Sequence, residues 1–128
     1  TYRELFPGLE LRADSKAAGR WNTSKNGDYF AIGVGGTVTG KGADLLIIDD
    51  PHSEQEAALA ASNPDVFDKV TEWYTSGPRQ RLQPGGAIVI VMTRWAMRDL
   101  TGQVLKDHLS SGFKDTGDLI RKLDIKIK

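Results

Sequence analysis

The stretch GADLLIIDDPHS, Gly42 to Ser53, decides how the chain is read. Leu45, Leu46, Ile47 and Ile48 form a short continuous apolar run, and its length and β-branched content predict a strand buried on both faces. Asp49 and Asp50 then fall at the C-terminal tip of that strand, the edge where open α/β sheets bind ligands. Adjacent like charges at one tip repel, and a bound cation relieves that cost. The competing reading is a solvated turn, because Asp-Asp-Pro is good turn chemistry.

Upstream, GGTVTGKG (Gly35 to Gly42) follows most of the phosphate-loop pattern G-x-x-x-x-G-K-[ST], with Lys41 in the lysine position. Gly42 stands where a Mg²⁺-binding Ser or Thr is required, and the loop feeds a strand where the motif needs a helix N-terminus. A true Walker A loop is therefore not expected, although Lys41 remains a candidate phosphate contact. Earlier still, Arg20–Thr23 and Tyr29–Val34 read as strands around an Asn26-Gly27 hairpin turn, and Pro7-Gly8 marks another turn.

Downstream, Ser53 and Glu56 have capping-box spacing ahead of an alanine-rich helix. A second helix is expected from Pro64 or Asp65 to about Ser76, with Val66, Val70, Trp73 and Tyr74 on its apolar face and Gly77-Pro78 ending it. Arg79 to Arg81 lie in a basic turn. Ala87 to Met92 (AIVIVM) form a second buried strand, stopping at Thr93-Arg94-Trp95. AMRDLTGQVLKDHL reads as a helix with Leu100, Val104 and Leu109 on roughly one face. The charged tail, residues 112–128, is left unassigned. Strands alternating with helices predict an α/β domain whose sheet is mostly parallel with flanking helices, and the hairpin allows an antiparallel N-terminal edge.

Bulk properties narrow the classes. At 128 residues the chain fits one domain with a real core. It has no cysteine, which removes disulfides and thiolate metal sites. Seventeen basic and seventeen acidic residues balance, so any contact with a polyanion would be local. No apolar run approaches the roughly 20 residues of a membrane span, and there is no signal-peptide pattern. A soluble intracellular protein is expected, and Thr1 as the first residue suggests a fragment.

Four apolar residues followed by two acids match the Walker B pattern of P-loop ATPases. In that pattern Asp49 holds Mg²⁺ and Asp50 orients or deprotonates the attacking water. Thr93 would lie on the same sheet edge, placed to read a γ-phosphate, and Arg94 to pair with phosphate or with Asp50. His52 offers a different chemistry: with Asp49 and Asp50 it would form the metal site of a nuclease. The Arg79–Arg81 cluster is either a solvated turn or a DNA or subunit contact. Trp21, Trp73 and Trp95 are read as core aromatics.

Taken in order, ELFPG, DSKAAGRW, YFAIGVGGTVTGKGADLLIIDDP, EWY, RLQPGGAIVIVMTRW and DLTGQVL resemble the large terminase subunits of tailed phages and prophages, over roughly residues 4–106. The resemblance implies that residues 1–111 are a segment of an ASCE-type P-loop ATPase domain, from the Walker B strand to the coupling motif and lacking Walker A. It implies Mg²⁺ and ATP as cofactors of the intact parent domain. Asp49 matches the metal-binding acid, and Asp50 stands where many members carry the catalytic glutamate. Thr93-Arg94-Trp95 matches the coupling segment, and Lys41 lies where a phosphate-sensing role would fall. The implied partners are double-stranded DNA, the portal protein, the small terminase subunit and further large-subunit copies, in the host cytoplasm. Without Walker A the fragment is expected to be hydrolytically poor. The alternatives are the nuclease and an inactive prophage remnant or interaction module.

Overall fold

In the structure, a computed structural model, residues 2–17, 19–38, 40 and 42–110 are described. Lys41 and the tail from Gly112 lie outside them, so the expectations placed on these residues have no structural counterpart. The chain divides into two compact units, one ending at Gly36 and the other beginning at Thr37.

The first unit has a short helix, α1 (Tyr2–Leu5), then strands β1 (Leu11–Ala17), β2 (Arg20–Thr23) and β3 (Asp28–Phe30) in an antiparallel sheet of order β1-β2-β3. The hairpin forms where Asn26-Gly27 predicts it. Asn26 takes a left-handed φ of 61°, which Asn tolerates better than most residues, and the Thr23 N–H donates to the Gly27 carbonyl at 2.8 Å. Trp21 and Tyr29 are cross-strand partners whose rings stack with centroids 4.5 Å apart. The strands expected as an antiparallel edge of the main sheet thus form a separate sheet.

The second unit runs β4 (Ala43–Asp49), α2 (Glu54–Leu59), α3 (Asp68–Ser76), β5 (Leu82–Val91) and α4 (Leu100–Ser110). Strands β4 and β5 pair in parallel, with Leu45 opposite Ala87 and Asp49 opposite Val91. The capping box is present: the Glu56 N–H donates to Ser53 Oγ, and the Ser53 N–H donates to Glu56 Oε2. A 3-10 turn over Pro64–Phe67 replaces the first turn of the expected second helix. Strand β5 begins earlier than AIVIVM suggests. Gln83 to Gly86 form an irregularity in which Gly85 has φ 82°, and a side chain on Gly86 would meet the Asp44 carbonyl oxygen at 3.0 Å.

The core lies against one face of this sheet. Leu46, Ile48, Ile88 and Ile90 pack with Val70, Trp73 and Tyr74 of α3 and with Leu100 and Val104 of α4. Full burial of one such aliphatic side chain contributes about 1.5–3 kcal/mol. The opposite face departs from expectation. Leu45 (54% exposed), Ile47 (60%), Val89 (42%) and Val91 (53%) remain open, so the LLII run is not buried on both faces. The cause is geometric: the core residues of α3 and α4 lie against a single face, and the two-residue period of a strand sends every other side chain to the opposite one. Among the described residues, no helix is long and apolar enough to cross a membrane.

Candidate functional site

The two parallel strands end side by side, and this brings the expected residues to one edge. Asp49, the last residue of β4, lies opposite Val91, the last of β5. The Asp50 N–H donates to the Val91 carbonyl at 2.9 Å and prolongs the ladder by one bond. Asp50 then turns with φ 40°, a left-handed value that costs most side chains about 1–2 kcal/mol and that Asp and Asn adopt more readily. Both aspartates are exposed, and among the described residues neither carboxylate forms an ion pair or accepts a hydrogen bond. Thr93 is exposed two residues past the end of β5.

Arg94 is engaged elsewhere. Its Nε donates to Asp99 Oδ2 at 2.9 Å and its Nη2 to the Ala96 carbonyl at 3.2 Å, so its carboxylate partner is Asp99 and not Asp50. Asp99, fully buried, organises the whole loop between β5 and α4. Besides Arg94, its Oδ2 accepts from the Trp95 N–H (2.9 Å) and the Ala96 N–H (3.2 Å). Its Oδ1 accepts from the Gly102 N–H at 2.8 Å and so caps the first turn of α4. Burial pushes the Asp99 carboxyl upward, but hydrogen bonds from Gly102, Arg94, Ala96 and Trp95 outweigh it and hold the group below its ordinary range. This cap also explains why α4 starts at Leu100, later than AMRDL suggests. Gly102 is needed because a side chain there would run into the Met97 carbonyl oxygen. Arg98 ties the same loop to the start of α3 and the turn before it, with Nη1 3.0 Å from Asp65 and Nη2 2.6 Å from Asp68, the first residue of α3.

His52 turns inward. Its side chain is buried, its Nε2 accepts from the Leu100 N–H at 2.9 Å, and its ring meets Phe67 edge-on with centroids 4.7 Å apart. An accepting Nε2 places the neutral ring's proton on Nδ1. That nitrogen has no hydrogen-bond partner, and Glu56 Oε2 lies 3.9 Å away. Burial lowers the imidazole's affinity for a proton, partly offset by the charges of Glu56 and Asp99. Among the described residues, no group of three His, Asp or Glu side chains is arranged to hold a metal ion, so Asp49, Asp50 and His52 do not assemble the metal site of the alternative nuclease reading. Of the tryptophans, Trp73 packs on the core while Trp95 is 40% exposed. Arg79 to Arg81 lie in a short 3-10 helix, with Arg79 exposed.

Exposed carboxylates with no ion pair among the described residues offer oxygen ligands of the kind that a hydrated divalent cation takes. Asp99 was not anticipated from sequence, although an Asp directly before the first apolar residue of a helical pattern is an N-cap signal. No family model, curated protein or solved structure matches the chain.

Proposed function

We propose that the chain is a segment of the ATP-hydrolysing motor domain of a large terminase subunit, which drives viral DNA into a capsid in its intact form. The reading is an ASCE-type P-loop fold in which Asp49 holds Mg²⁺, Asp50 prepares the attacking water, and the Thr93–Trp95 loop responds to nucleotide. The observation that supports it is the shared edge: adjacent parallel strands in register, one ending in two exposed aspartates and the other running into Thr93 and Arg94. In a phosphoryl-transfer site, catalysis is mainly positioning and charge stabilisation, and a metal held at a strand tip supplies both. DNA, the portal protein and further subunits are partners of the intact motor in this proposal.

The test is a Mg²⁺ titration followed by amide NMR, with and without ATP. Shifts at Asp49 and Asp50 that vanish in Asp49→Ala are expected. Mn²⁺-dependent DNA cleavage that is lost in Asp49→Ala would overturn the motor reading in favour of a nuclease.

A further inference from the structure

His52 is a buried titratable side chain that the proposed chemistry leaves unused, and it lies between the end of β4, the entrance to α3 and the start of α4. It follows Asp50 by a single residue, Pro51, which is itself buried and has its φ fixed by its ring. Its ring is wedged against Phe67, at the entrance to α3. Its Nε2 takes the N–H of Leu100, the first residue of α4 and one of the donors that a helix N-terminus leaves without an intrahelical partner. The next residue back, Asp99, holds the Arg94–Ala96 loop through its carboxylate. The path from Asp50 to Arg94 therefore runs through a left-handed φ, a proline, a buried ring, one N–H···N bond and a fully buried carboxylate.

We propose that His52 is a positioning residue that joins the two strand tips mechanically, so that a cation arriving at Asp49 and Asp50 is felt at the N-terminus of α4 and in the Arg94–Asp99 loop. The inference rests on the proposed function for its ligand, but the link itself follows from the geometry. Coupling between sites requires contiguous packed or hydrogen-bonded groups with more than one arrangement, and a lone buried N–H···N bond is a connection that a small displacement of the ring breaks. Glu56 Oε2, 3.9 Å from Nδ1, is the charged group facing the ring's other side.

The experiment is amide NMR of the full chain during a Mg²⁺ titration, with the coupling across the Leu100 N–H···Nε2 bond read directly between the two nitrogens. In the wild type, the Leu100 and Trp95 amides should shift along the same isotherm as Asp49 and Asp50. In His52→Phe, which keeps an aromatic ring against Phe67 but has no acceptor, the tip should still respond while the Leu100 response falls to baseline. In His52→Gln, whose side-chain oxygen can take the place of Nε2, the Leu100 response should return. A wild-type tip that shifts while Leu100 stays silent overturns the coupling and leaves the proposed function standing. So does an undiminished Leu100 response in His52→Phe. A silent tip in the wild type overturns the proposed metal site and the coupling with it.

Discussion

Replacing Asp99 by Asn changes one atom type and removes one charge, yet it should rank among the most damaging single substitutions in the second unit. The reason is the division of labour between the two carboxylate oxygens. Oδ2 accepts from Arg94 Nε, the Trp95 N–H and the Ala96 N–H, while Oδ1 accepts from the Gly102 N–H. An amide has one acceptor end. With its oxygen toward Gly102, the cap survives but an NH₂ group confronts three donors. Flipped, it serves those three and turns a donor toward Gly102. In the cheaper, flipped orientation the N-cap is lost, which costs about 0.5–2 kcal/mol. The two backbone bonds, from Trp95 and Ala96, also lose their charge assistance, each having contributed about 1.5–3 kcal/mol against about 1 kcal/mol for a neutral bond, while the bond from Arg94 keeps its charged donor. The sum is about 1.5–6 kcal/mol, a large share of the roughly 5–15 kcal/mol that stabilises a typical domain. Urea denaturation at neutral pH, followed by tryptophan fluorescence, reads this directly. With a mid-range slope of about 2 kcal/mol per molar, the midpoint should fall by about 1–3 M at unchanged slope. Arg94→Ala should cost less, because Asp99 keeps its three backbone donors and the Arg94 side chain is 38% exposed. An Asp99→Asn midpoint within about 0.2 M of wild type would refute the account, since that margin is smaller than the loss of a single cap.

Four further outcomes are expected. Asp50→Val should be about 1–2 kcal/mol less stable than Asp50→Asn, because Asn enters the left-handed region far more readily than a β-branched residue; equal urea midpoints would contradict the φ of 40°. Gly102→Ala, which raises helix propensity, should nonetheless destabilise the chain by driving a methyl group into the Met97 carbonyl; a gain in thermal midpoint would refute this. Ile48→Ala should cost about 2–5 kcal/mol and Ile47→Ala much less, since Ile48 is 4% exposed and Ile47 60%; similar losses would mean that the open face is covered. Stability should fall with acid in two steps. His52 and Asp99 both have lowered folded-state proton affinities, so the unfolded chain binds more protons: the contribution of His52 is lost as pH falls below about 6.5, and that of Asp99 as pH falls below about 3.8. The first step should disappear in His52→Phe, as followed by urea midpoints across the pH range.

Features set by neighbours in sequence were legible. The Asn26-Gly27 turn and the Ser53–Glu56 capping box are each encoded within a few residues and stand where expected, and the parallel pair includes Leu45 to Ile48 and Ala87 to Val91 of the two apolar runs. Strand β1 was not legible, because LRADSKA has no alternation of apolar and polar residues to reveal a half-buried strand. The open face of β4 and β5 was hidden for the converse reason: a continuous apolar run looks the same whether one face is covered or two. At the candidate site, the ends of the two apolar runs put Asp49, Asp50 and Thr93 at one sheet edge, and the parallel pairing has those strand ends side by side. The runs said nothing about Arg94 and His52, whose partners are chosen by a loop and by a helix end. Asp99 claims Arg94 at a separation of five residues, and Leu100 claims His52 from the far side of the β4–β5 crossover.

The way the strands are joined also bears on how the chain acquires its structure. In the first unit, β2 meets β3 across one tight turn, so their pairing closes only a short loop. Leu45 meets Ala87 only after α2, α3 and both 3-10 turns have been traversed, and a loop of that length carries an entropic penalty before any contact offsets it. The parallel pair, and with it the edge that carries Asp49 and Thr93, should therefore be a late event in folding. In pulse-labelled hydrogen exchange, the β2–β3 amides would gain protection ahead of the Asp50 amide, whose bond to Val91 forms only when the two strand ends have come together.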